Sequence, residues 1–148
     1  MKVFIENEAG SSVKHEHNEK TLELLSTSQV SRPYPFPYGF VLNTTAEDGD
    51  NVDCFVLTKE RLRTGDIVDS EPIGLMEQIE DGEVDHKVLA VAPGEQQELD
   101  SEIQGTLVDF GNHVFDHIAG KTMNIGRFLD KSAALQYVLQ HLDEATAK

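Results

Sequence analysis

The sequence predicts an α+β domain that is mainly β, a small closed barrel of short strands with two C-terminal helices packed outside it. Three observations carry that expectation. Over the first two-thirds of the 148 residues, short apolar segments are punctuated by Gly, Pro, Asn and Asp. The pair Asp81-Gly82, a favoured tight turn, separates two alternating segments. From Glu95 onward, apolar residues recur at three- and four-residue steps instead of every second position.

In order along the chain, residues 2–6, 13–17 and 21–25 read as short strands. Arg32 to Gly39 holds three prolines and two tyrosines, which forbids regular helix and predicts a rigid extended loop. Asn43 to Asn51 is a polar turn containing Gly49. Asp53 to Thr58 and Ile67 to Ser70 read as strands, the second preceded by the turn residues Thr64-Gly65-Asp66. The hairpin follows, Ile73 to Glu80 and Glu83 to Val91 around Asp81-Gly82. Leu99, Ile103, Leu107, Phe110, Val114 and Ile118 then form one helical stripe, with Gly120 as its stop. A second helix starts near Asp130 or Lys131, with Ala134, Leu135, Val138, Leu139 and Leu142 expected inward.

A single domain spanning 1–148 is expected, since the length and the 39% hydrophobic content suffice for one core. No apolar run reaches the roughly 20 residues of a membrane span. The Met1–Glu6 stretch lacks the basic flank and apolar core of a signal peptide, and the single Cys54 cannot form an internal disulfide. These features point to the cytoplasm. The formal charge of −15, from 27 acidic and 12 basic side chains, disfavours nucleic acid and anionic membrane as partners. It still permits a phosphate substrate handled through metal ions, because bound cations invert the local field.

The chemistry concentrates in Glu47-Asp48-Gly49-Asp50-Asn51-Val52-Asp53. Three aspartates spaced D-x-D-x-x-D suit hard divalent cations, and the same spacing suits a solvated acidic turn. A calcium loop of the EF-hand type fails, since its required glycine position holds Asp53. Asp53 shares strand parity with Phe55 and Leu57, so it stands at the barrel mouth if those two fill the interior. Asp85 and Lys87 project from one strand face, as do Lys14 and Glu16, which would set carboxylate beside ammonium for metal and phosphate together. His15 with His17, and His113 with His117, are each spaced to begin a zinc site but lack further ligands. Cys54 reads as a small buried hydrophobe.

Taken together, Tyr34-Pro35-Phe36-Pro37-Tyr38-Gly39-Phe40, then Asp48-Gly49-Asp50-Asn51-Val52-Asp53, then Asp85-x-Lys87 resemble the ordered motifs of the soluble family I inorganic pyrophosphatases. That resemblance implies a five-stranded OB-like closed barrel with flanking helices, a homo-oligomer, and hydrolysis of pyrophosphate by a water activated on several Mg2+ ions, with Mn2+ or other divalent metals as substitutes. By resemblance, Asp48, Asp53 and Asp85 would ligate the activating metals, with Glu80, Glu6 and Glu16 acting on metals directly or through water. Asp50 would be the general base. Lys14 and Lys87 would hold phosphate oxygens, and Tyr38 would tune Asp50 or a phosphate by hydrogen bonding.

The chain also departs from the family pattern. Asn51 stands where the signature has proline, Glu80 where it has aspartate, Ser26 where a substrate-binding arginine is expected, and Val114-Phe115 where a Tyr-Lys pair contacts phosphate. Arg32 is the nearest candidate replacement for the arginine, and Lys121, Arg127 or a residue from a neighbouring subunit for the Tyr-Lys pair. Two rival readings follow: hydrolysis of another small phosphoanhydride, or a non-catalytic relative that binds metal or an anion.

Overall fold

A computed structural model of the chain describes residues 1–143. The strands are β1 (Lys2–Asn7), β2 (Val13–His17), β3 (Leu24–Gln29), β4 (Tyr38–Val41), β5 (Asp53–Val56), β6 (Ile67–Asp69), β7 (Glu71–Glu80), β8 (Glu83–Val84) and β9 (Lys87–Val91). Helix α1 (Ser101–His113), strand β10 (Met123–Leu129) and helix α2 (Lys131–Gln140) complete the chain. The mainly β composition with two C-terminal helices is as the sequence predicts.

The main sheet runs β10-β7-β9-β5-β4-β1-β6, with β8 attached to β7, while β2 and β3 form a separate two-stranded sheet. The hydrogen-bonded path ends at β10 and β6, and no pairing among the described residues joins those two strands, so the pairings alone do not make the closed five-stranded barrel that was expected. The three-residue β6 is continuous with β7 through Ser70 and pairs only with β1. The other edge of β7 is taken by β10.

Several boundaries differ from the pattern-based ones. The third strand starts at Leu24 rather than residue 21, because Asn18 to Leu22 close a turn in which Leu22 takes φ 66°. Tyr38–Val41 is a strand rather than the end of a loop, paired with both β1 and β5. The Asp81-Gly82 turn forms, with both φ angles positive as that turn requires. The strand expected after it is broken at Asp85-His86 into β8 and β9. Helix α1 begins where the Asp100 carboxylate accepts the Ile103 N–H, and it ends at His113, so Ile118 lies in a turn at 43% exposure. His117 is therefore off the helix that carries His113. Strand β10 escaped the periodicity because a bulge between Ile125 and Phe128 breaks its alternation. In α2 only Ala134 and Val138 are buried; Leu135, Leu139 and Leu142, expected inward, are exposed.

Alternation within β5 and β9 splits the core in two. Cys54, Val56, Val88 and Ala90 pack with Val3, Ile5 and Val41, and α2 supplies Ala134 and Val138. Phe55, Leu57, Leu89 and Val91 pack with Val30, Tyr34 and Met76, and α1 supplies Leu107 and Phe110. Cys54 is fully buried on the first side. Asp53 and Lys87 share parity with the second, so both face the α1 side. No helix among the described residues is long and apolar enough to cross a membrane.

Candidate active site

The acids reach one place through strand register. β5 and β9 pair in parallel with Asp53 opposite Lys87, and Asp85 precedes Lys87 by two residues. The Lys87 ammonium donates to Asp53 Oδ2 at 2.7 Å, to Asp85 Oδ2 at 3.0 Å and to Tyr38 Oη at 2.9 Å. Those three bonds use every donor an ammonium has. The side chains are 8% (Lys87), 19% (Asp53) and 15% (Asp85) exposed. Burial, with the Asp85 carboxylate beside it, pushes Asp53 well above the usual carboxylate range even though Lys87 opposes this. The same two carboxylates hold Lys87 firmly protonated against its burial.

These groups line a cavity of about 360 Å³ that also takes in Glu6, Lys14, Glu16, Glu19, Asp48, Asp50 and Glu80. All ten residues expected from sequence thus border one cavity, although not all of them touch. Asp48 Oδ1 accepts the Asp50 N–H at 3.0 Å and shares no hydrogen bond with Asp53 or Asp85. Glu6 Oε2 accepts the His17 N–H at 2.9 Å, with the His17 ring Nδ1 at 3.2 Å, and burial raises its pKa. Lys14 pairs with Glu16 at 3.4 Å. Tyr38 Oη accepts from Lys87 Nζ. Asp50 is raised by partial burial first, then by the charges of Asp48, Asp85 and Glu16.

The expected replacements for the missing cations separate clearly. Ser26 is exposed on β3 and faces Glu16, while Arg32 borders a different, shallower hollow. Arg127 is taken by Glu77 on the exposed edge. Lys121 bridges Glu80 (3.3 Å) and Asp81 (3.4 Å). Its ammonium lies 4.8 Å from the centre of the Phe115 ring, and that of Lys14 lies 5.0 Å from the same ring. Phe115 therefore packs against two cations where the pattern would put one of its own. His15 and His17 are spent on Asn7 and Glu6, and His113 and His117 on Asp116 and Ser31.

Sequence reasoning missed Glu19. It lines the cavity, and burial together with the charges of Asp50, Glu6 and Asp48 pushes it to about 8. Its only signal was its place in a polar turn, Asn18 to Thr21, which is also how a solvated turn reads.

Eight carboxyl groups line the cavity (Glu6, Glu16, Glu19, Asp48, Asp50, Asp53, Glu80, Asp85) against two lysines, Lys14 and Lys87. Among the described residues no three His, Cys, Asp or Glu side chains already stand together as a closed metal cage. Magnesium does not need one, since it binds through one or two carboxylates and keeps several waters. An all-oxygen donor set whose acids are pushed upward by burial and by one another fits a hard divalent cation.

Comparison with known proteins agrees with this geometry. The profile of the family described as inorganic pyrophosphatase matches residues 3–145. The chain belongs to the inorganic pyrophosphatase family. The inorganic pyrophosphatase of a Nostoc species is 36% identical over 122 residues, which is 80% of this chain and 70% of that protein. That of Nanoarchaeum equitans is 30% identical over 148 residues, covering 93% and 92%. Among solved structures, the inorganic pyrophosphatase of Thermus thermophilus superposes with a TM-score of 0.83 at 28% identity, over 94% of this chain and 87% of that one.

Proposed function

We propose that this chain hydrolyses inorganic pyrophosphate to two phosphates, with Mg2+, or another hard divalent cation such as Mn2+, bound by the cavity acids. The reading rests on one observation above the others. In a member of this family, Asp53, Asp85 and Lys87 meet at hydrogen-bond distance in a cavity that also holds Asp48 and Asp50. Asp48, Asp53 and Asp85 are the proposed principal cation ligands, with Glu80, Glu6 and Glu16 supporting them directly or through water. When bound, the cations neutralise the phosphate oxygens and lower the pKa of water.

The chain's own groups do the rest. Asp50 is the proposed general base: it is exposed enough to meet a water, and partial burial and its acidic neighbours raise its pKa. Lys14 and Lys87 hold phosphate oxygens, with Tyr38 Oη keeping the Lys87 ammonium in line. With cations held by Asp53 and Asp85, Lys87 would no longer be needed as their counter-ion and would be free to turn a donor toward substrate. In keeping with the family, the working protein is proposed to be one domain over 1–148, a homo-oligomer and cytoplasmic. The −15 charge disfavours nucleic acid and anionic membrane as partners.

The test is phosphate release from pyrophosphate with magnesium, with chelator, and in Asp50→Asn. The expected result is magnesium-dependent release that falls by about 10² to 10⁴ in the variant while magnesium binding by calorimetry persists. Magnesium binding without phosphate release by the unaltered protein would instead support a non-catalytic binder. Release from another phosphoanhydride alone would redirect the substrate.

A further inference from the structure

The hairpin that carries Lys14 and Glu16 does not join the main sheet. Its near end is tied to β1 by side chains: Asn7 Oδ1 accepts the His15 N–H at 2.6 Å, and Glu6 Oε2 accepts that of His17. Its far end, the Asn18–Thr21 turn, closes on Asn51 of the acidic loop, and Lys20 also reaches Thr44, Thr45 and Asp143. The Asn51 N–H donates to Glu19 Oε1 at 2.8 Å, and Asn51 Oδ1 accepts from Lys20 Nζ at 2.7 Å. Asn51 Nδ2 donates to Val41 O at 3.0 Å and Glu19 O at 3.4 Å, while Lys20 Nζ also donates to Thr44 O at 2.9 Å. Asn51 is 2% exposed, so its polar groups have no ready substitute in water. Proline, the family's residue here, has no N–H to give Glu19.

We propose that Glu19 and Lys20 are positioning residues: by docking on Asn51 they fix where Lys14 and Glu16 stand relative to Asp48 and Asp50. The proposal rests on the pyrophosphatase reading of this site. Glu19 acts as a hydrogen-bond acceptor in this role, and its charge is not required.

The experiment uses the full chain with magnesium and compares Glu19→Ala, Glu19→Gln, Lys20→Met, Lys14→Met and the double variant of Glu19→Ala with Lys14→Met. Glu19→Ala is expected to raise KM for pyrophosphate about tenfold, the scale of one lost hydrogen bond, with kcat within about threefold. Glu19→Gln should recover most of the loss. In the Lys14→Met background Glu19→Ala should add less than about twofold, because it acts through Lys14. Lys20→Met should shift KM in the same direction, and it carries the test if melting shows Glu19→Ala to be unfolded. Unchanged KM in Glu19→Ala and Lys20→Met, a Gln variant as impaired as the Ala variant, or full multiplication of the two single effects would each overturn the proposal. Amide exchange over residues 48–53 reads the docking without turnover. Faster exchange in Glu19→Ala supports it, and unchanged exchange overturns it even if the unaltered protein releases no phosphate.

Discussion

Lys87 shows how much one buried cation does before any ligand arrives. It donates to Asp53 and Asp85 at once, and all three of its donors are satisfied. Removing it leaves two facing carboxylates without a counter-charge. Lys87→Met is expected to lower stability in urea by about 3 kcal/mol at pH 7 without metal, the low end for a broken buried pair because Asp53 can take up a proton instead. Added magnesium should restore much of that loss, which urea midpoints with and without the ion would read. The sequence showed part of this site. Spacing of two put Asp85 and Lys87 on one face, and parity put Asp53 with Phe55. The bond from Lys87 to Asp53 was hidden, because it depends on a parallel register between strands 34 residues apart. Glu19 was hidden because a polar turn residue looks the same in sequence whether it meets solvent or a backbone N–H.

Among the elements, β4 is the tightest fit. Gly39 lies so close to β1 that a Cβ there would run into the Phe4 carbonyl oxygen. Backbone cannot yield as a flexible side chain would, so Gly39→Ala is expected to cost about 3 kcal/mol in thermal or urea unfolding. Because Tyr38 is its neighbour and also bonds Lys87, the variant should raise KM for pyrophosphate as well. The helices and most strands could be read from periodicity, because amphipathic patterns report which faces are covered. The failures came where pattern and cover part company. The bulge in β10 breaks alternation, Ile118 continues a stripe past the end of α1, and the α2 leucines extend a stripe beyond what the sheet covers. The order of the strands in the sheet was likewise not legible, since alternation gives strands but not which edges meet.

At the scale of the molecule, the excess of acid makes stability without metal depend on pH. Glu19 moves from an ordinary 4.5 to about 8 in the folded chain, and Asp53 and Asp50 move the same way. A group whose folded pKa is raised binds its proton more tightly when folded, so its stabilising effect is present below the unfolded pKa. That effect is lost as pH rises through the folded pKa. The melting temperature in chelator is therefore expected to fall between pH 4.5 and 8, and saturating magnesium should flatten the fall by neutralising the same acids. A melting temperature without metal that rises across this window would contradict the assignment of crowded, mutually repelling carboxylates. The parallel pairing of β5 with β9 has a further consequence during synthesis. The chain emerges from its N-terminus, so Asp53 leaves the ribosome before Lys87 by 34 residues, about two to seven seconds at ordinary translation rates. For that interval the nascent polypeptide carries the acidic half of its centre without the ammonium that tames it, and neither half can mature until the ninth strand has been translated.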